Sequence, residues 1–328
     1  MPTPTEHILA DLQARGLLPP AQAAALASYE HQRPFSLHYE LRALLYLGVT
    51  LLSGGLGVLV YQNIDQLGHG VIVAGIGILT VVCLGYAARH RPAFTWGQAP
   101  SPGLLPEYLL LLGCLLFLAL EGYLQAQYQL FGTRYGLAAA LPTVLFFGIA
   151  YGFDHRGVLS LAITALASWV GVSAAPLAAF TQYDFAAAAL SIPAAGLGLG
   201  LLAVGLWSDV TRHKAHFAFT YISLGGNLAL FALTASLFSA YSLPHAVALP
   251  LLLAVCASLV WYARRSQSYL FLLMGAVFGY IGVTYLLYEV LGTEIGFLVG
   301  TLYFPASAIG VVMLLINMKR LLNITPKP

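Results

Sequence analysis

Charged side chains make up only 8% of this 328-residue sequence, against 59% hydrophobic ones. A soluble domain keeps its surface in water with about a quarter of its residues charged, so an ordinary water-facing globule is excluded. A mean hydropathy of +0.83 instead describes a chain that faces lipid and buried helices. Cysteine is scarce as well. Cys83, Cys114 and Cys256 are odd in number, lie in separate apolar runs and show neither CxxC nor Cys/His spacing, which argues against a disulfide framework and a metal site. A net charge of +2 is too small to imply nucleic acid as a partner. Alternation of apolar and polar residues is missing, which excludes a β-barrel. The opening MPTPTEHILADLQARG lacks the basic start and apolar stretch of a signal peptide, so insertion is expected to rely on the first long apolar run.

What is present is a series of apolar runs of about 20 residues, the length that crosses a ~30 Å hydrocarbon layer. Ten of them lie near 43–61, 70–88, 107–128, 135–153, 157–175, 185–207, 216–238, 242–263, 269–290 and 294–318. Spans must satisfy their own backbone hydrogen bonds, so they are read as helices. The expected fold class is all-α, a polytopic membrane bundle of about ten transmembrane helices. Its parts are a cytoplasmic helical segment at 1–38, a transmembrane domain at 39–320 and a short tail at 321–328. Basic residues test the count independently. Of fourteen, all but Arg134 fall in segments that ten spans would place on one side; the positive-inside rule then puts both termini in the cytoplasm. In the N-terminal segment Ile8, Leu9 and Leu12 have helical spacing, and Pro20 suits the first turn of a second short helix. A lid resting on the membrane surface is the simplest reading of that piece.

Certain residues in these runs resemble a known family. RGLLPPAQAAAL, then LGVTLLSGGLGVLVYQNID in the first span and GCLLFLALEGYLQAQYQLFG in the third, resemble the predicted bacterial membrane proteins grouped as domain of unknown function 2157. That family's pattern closes the first span with Asn-Trp-Asp/Glu and the third with Ala-Gln-Ile-Tyr followed by Gly-Asp. Here Asn63-Ile64-Asp65 lacks the Trp, Ala126-Gln127-Tyr128 is one residue short, and Thr133 stands in place of the final acid. The resemblance extends to about residue 175 and implies a bacterial cytoplasmic membrane, with no established activity.

Polar groups at depth are the candidates for function. Glu121 lies about 21 Å along the third span from Glu107 at 1.5 Å per residue, inside an apolar run. A bare carboxylate there costs roughly 2.5–3.5 kcal/mol on insertion scales, so it must be protonated, bonded or wet. Gln125 follows one turn further out on the same face. Asn227, near mid-depth of the seventh span, needs a partner for its amide, and a bond to a neighbouring helix is the commoner explanation. Pro142, Pro193, Pro250 and Pro305 each interrupt a span that runs from outside to inside. Each removes a backbone donor, so four kinks would line an outer vestibule with Glu121; ordinary accommodation by neighbouring helices is the alternative. Asp65, Asp184, Glu289 and Glu294 make the outer rim acidic. With Tyr128, Tyr183, Tyr241 and Tyr288 they read first as an aromatic belt with acids the charge rule leaves free, and second as a lure for cations. The pairs Gly196/Gly200, Gly275/Gly279 and Gly296/Gly300 have GxxxG spacing, which predicts close helix contacts. His213 and His216 beside Asp209 read as a polar cytoplasmic loop.

No phosphate loop, kinase set, dinucleotide fingerprint or HExxH occurs, so an enzyme is not expected and no cofactor is implied. Two five-span halves of opposite orientation have the arithmetic of inverted-repeat carriers, although Glu121 has no acidic counterpart in the eighth span. The leading expectation is a secondary transporter of a small cationic or amphipathic solute. In it Glu121 is the coupling or binding carboxylate, and Gln125 and Asn227 are ligands. Its partners are then the lipid bilayer and that solute. A non-transporting sensor, scaffold or regulator is the alternative, and a lipid-modifying enzyme the third.

Overall fold

The computed structural model describes residues 38–62, 68–100, 102–132, 134–174, 188–239 and 243–321, together with Pro19 and Gln22. The expected lid at 1–38 and the tail at 321–328 therefore fall almost entirely outside the described residues. Nine helices follow in chain order among the described residues: α1 His38–Gln62, α2 His69–Arg89, α3 Leu104–Tyr128, α4 Tyr135–Phe153, α5 Arg156–Ala174, α6 Ala188–Thr211, α7 Ala215–Leu237, α8 His245–Ser266 and α9 Tyr269–Leu321. No strand occurs among them. Eight stretches, in α2 to α8 and at Tyr269–Leu291, are long and apolar enough to cross a membrane, and α1 adds the shorter apolar stretch Ala43–Gly55.

One helix departs from expectation. Runs at 269–290 and 294–318 were expected as two spans, yet α9 covers both in 53 residues. Straight, it would measure ~80 Å, far more than a ~30 Å hydrocarbon layer accepts. It is not straight. The Thr284 hydroxyl lies 2.8 Å from the Tyr303 hydroxyl, Tyr280 bonds Ser307 at 3.0 Å, and the Tyr280 and Tyr303 rings stack with centroids 6.1 Å apart. Residues that far apart in one straight helix would be separated by roughly 28–40 Å. The chain therefore doubles back between Thr284 and Tyr303, where the sequence pattern puts a boundary.

Helices adjacent in sequence pack as antiparallel pairs: α2 with α3, α4 with α5, α6 with α7, and α8 with α9. The α6–α7 pair is the closest, and its glycines explain why. A Cβ at Gly198 would meet the Gly225 carbonyl oxygen at 2.8 Å, and one at Gly205 would meet Tyr221 Cβ at 2.9 Å. Backbones that close exclude any side chain. The expected Gly196/Gly200 contact is not the one used: nothing lies within 4 Å of either. At α8–α9 the expectation holds better, with Gly275 against the Cys256 carbonyl and Gly279 against the Cys256 side chain. Packing at Gly296 and Gly300 lies outside the described residues.

The core has two main parts. One joins α6 to α9 around Leu230, Leu252, Leu259 and Phe271. The other joins α2 to α7 around Cys114, Phe146, Val158, Leu159 and Phe217. Large apolar side chains such as Val81, Val144 and Trp207 remain exposed, as lipid-facing positions do.

Candidate functional site: a cavity at Glu121 and an ionic cluster at the opposite end

The two ends of the bundle are chemically different. At one, the basic end, Lys214 and His216 meet Asp154, Arg91 donates to the neighbouring Gly152 carbonyl at 2.9 Å, and Arg265 lies 3.5 Å from Asp209. At the other end His69 bonds Tyr123 at 2.7 Å and Tyr285 bonds His245 at 2.8 Å. The basic residues that the sequence assigns to one side of the membrane thus gather, where described, at one end of the bundle.

Glu121 sits two turns from the C-terminal end of α3 and is 7% exposed. Its Oε1 has no hydrogen-bond partner among the described residues. A buried carboxylate oxygen without a donor is costly, and the residue that carries this one borders a cavity of about 530 Å³. The cavity lies between α3, α4 and α5. It reaches inward to Leu118, Pro142 and Leu161 and outward to Gln129, Tyr135 and Val172. Its walls are mostly apolar, with Glu121 the one charged group and Gln125, Gln129, Tyr135, Thr164 and Ser168 adding polarity. Pro142 has no N–H to offer the Ala138 carbonyl, and both residues are walls. The volume falls within the ~300–1,000 Å³ of small-molecule sites.

The structure brings together three of the expected residues and separates the others. Glu121, Gln125 and Pro142 share this cavity. Gln125 is already engaged: its Oε1 accepts the Phe131 N–H at 2.9 Å and its Nε2 donates to the Gly132 carbonyl at 2.9 Å. It clamps the turn that carries the left-handed Gln129 and Gly132 and returns the chain to α4. Asn227 is not a wall; its amide donates to the Ser223 carbonyl one turn back at 2.9 Å, so its own helix serves it rather than a neighbour. Pro193, Pro250 and Pro305 lie inside α6, α8 and α9 and away from the cavity, so the four prolines do not line one vestibule. Helices pack pairwise, and only α4 of these four borders Glu121. In the acidic rim, Glu289 is exposed, while Asp65, Asp184 and the Glu294 side chain lie outside the described residues.

The basic end holds a cluster that sequence reasoning missed. Asp154 follows α4 in the left-handed conformation, φ 58°. Its Oδ1 accepts from Lys214 Nζ and from His216 Nε2, each at 2.7 Å, and its Oδ2 accepts the Ala99 N–H at 2.6 Å. The Asp154 side chain is 6% exposed and that of Lys214 3%. Lys214 also donates its backbone N–H to the Trp96 carbonyl at 2.8 Å and lies 5.1 Å from the Phe94 ring centre. His216 was expected beside Asp209; it pairs with an acid 62 residues earlier instead. The signal in the sequence was weak: one acid in the short link GFDHRG between two spans. Next to it, buried His155 accepts the Val158 N–H on Nδ1 at 3.1 Å and caps α5. Desolvation holds its imidazole below the ordinary histidine range, partly opposed by the Glu107 carboxylate.

Apolar helices long enough to span a bilayer, lipid-type exposure and, among the described residues, ion pairs gathered at one end together define a multi-pass helical membrane protein. More particularly, residues 10–159 match the family described as predicted membrane protein, DUF2157, as the resemblance in the first half implied. No curated protein and no solved structure matches the chain. The matched stretch holds Glu121 and Asp154 and stops in the first turn of α5.

Proposed function

We propose that this protein is a secondary transporter of a small cationic or amphipathic solute, with Glu121 as the group that binds the solute or the coupling proton. The observation that carries this reading is the buried Glu121, whose Oε1 has no hydrogen-bond partner and whose side chain borders a cavity of about 530 Å³. A purely structural carboxylate would be expected to have donors around it. One negative group among apolar walls suits an amine or organic cation with an apolar body, the charge meeting Glu121 and the body meeting Leu118, Ala139 and Val172. Gln125 shapes the site by holding its turn, and Asn227 plays no direct part. The same reading takes ten spans, with α9 as two of them, the basic end in the cytoplasm of a bacterium and both termini there. It involves no catalysis and no cofactor.

Glu121→Gln in proteoliposomes tests it. Flux of organic cations driven by an imposed proton gradient should fall to background. The unfolding temperature in detergent should stay level or rise, because an unpaired buried acid is removed. Unchanged flux would remove Glu121 from transport, and a lowered unfolding temperature would show that its role is to hold the fold.

A further inference from the structure

The cavity at Glu121 extends toward one end of the bundle as far as Gln129, Tyr135 and Val172, and its wall ends toward the other at Leu118, Pro142 and Leu161. Inward of Glu121 on α3 lies Cys114, about 10 Å away at 1.5 Å per residue and 0% exposed. Around it pack Phe146, Ala150, Val158 and Leu159, all 0% exposed. Beyond this dry layer comes the Asp154 cluster. Beside the cluster is a small, partly open cavity of about 90 Å³ bordered by Glu107, Asp154, His155 and His216, room for roughly three waters at ~30 Å³ each. Solvent space thus exists above and below an apolar plug.

We infer that the tie centred on Asp154 is the inner gate of the Glu121 cavity; the inference rests on the solute-cavity reading above. Three chain turns from three helix pairs converge on one carboxylate: the α2–α3 link through Ala99, the α4–α5 link through Asp154 itself, and the α6–α7 link with the first turn of α7 through Lys214 and His216. Each pair packs more extensively within itself than against the next, so the pairs are the units that can shift. Among the described residues Tyr151 and Tyr221 add a hydroxyl contact of 3.0 Å across the α4–α7 boundary. Apolar packing would join such turns at no greater cost, since a buried ion pair is weak as a stabiliser. An ionic tie has a property apolar packing lacks: water entering from the adjacent chamber can replace its partners. Opening there would separate α4 and α5 from α7 and hydrate the layer at Cys114.

Cys114 is a native reporter of that event. In a Cys83→Ser, Cys256→Ala background it is the sole thiol, and its reaction with a membrane-impermeant maleimide can be followed in inverted and right-side-out vesicles. Asp154→Asn should speed labelling from the cytoplasmic face at least tenfold and leave labelling from the other face unchanged. Should Asp154→Asn fail to accumulate, Ala99→Pro removes one donor to the carboxylate and should give a rise of severalfold. Labelling that stays slow in these variants, or that rises equally from both faces, overturns the gate. The readout is thiol access and not flux, so an inert Glu121→Gln result would sink the transport reading alone, and unmoved labelling of Cys114 would sink the gate alone.

Discussion

At the scale of single residues, burial decides which polar groups are tied and which are left free. Gln125 and Asp154 have both polar atoms of their side chains bonded and Asn227 has its amide N–H bonded, whereas Glu121 Oε1 has no partner. His155 gives a testable consequence. Its folded pKa lies below the ordinary 6.5, so as pH falls under 6.5 the unfolded chain takes up a proton that the folded chain refuses. Stability is then full above 6.5 and declines as pH falls from 6.5 to the lowered folded value. Asn is a good helix cap that does not titrate in this range, so His155→Asn should keep the Val158 N–H bonded and flatten this decline. Thermal unfolding measured across the interval below pH 6.5 checks it, and an identical slope in both proteins would show that His155 is not the titrating group. Glu121 was visible in the sequence because an acid inside an apolar run stands out. Asp154 was not, because its three partners come from positions 99, 214 and 216.

At the scale of helices, boundaries follow from the solvent. A span begins and ends where the chain can meet water, and α4, expected at 135–153, is found at Tyr135–Phe153. Which glycine makes a contact is a different matter. In GLGLG the spacing pattern favours Gly196 and Gly200, yet the α7 backbone approaches Gly198, because the rotation of α6 about its axis is set by the whole interface. Gly198→Ala should therefore lower stability by roughly 1–3 kcal/mol through overpacking against backbone atoms that cannot step aside. Gly200→Ala, with nothing within 4 Å, should leave the unfolding temperature unchanged or higher. Equal effects of the two substitutions would refute the assigned face. Proline positions were equally legible and equally incomplete: all four lie inside continuous helices, and Pro142 alone of them borders the cavity.

At the scale of the whole molecule, the arrangement of charge and the path of α9 define the topology. Segregation of Arg91, Lys214 and Arg265 to one end requires consecutive helices to alternate in direction. A folded-back α9 adds one more reversal. Cysteines at Tyr280 and Ser307, in protein with its native cysteines replaced, should be joined by a short bis-maleimide, since their native side chains touch at 3.0 Å and a straight helix would hold them ~40 Å apart. Absence of cross-linking would return α9 to a single rod and change the side on which the chain ends. Reporter fusions at the C-terminus, active only in the cytoplasm, would report the same choice independently.

Composition and periodicity were enough to determine that the chain lives in a membrane, that it crosses as helices, where most of those helices begin and end, and that Glu121 is out of place in its run. These properties depend on the contrast between lipid and water, which each residue meets one at a time. The tertiary structure decided which helices are neighbours, which glycine lets them touch, which proline borders a cavity and which acid closes the basic end. Those depend on contacts between residues far apart in the chain, and an apolar run offers the same hydropathy to any partner, so only assembly in three dimensions selects among them.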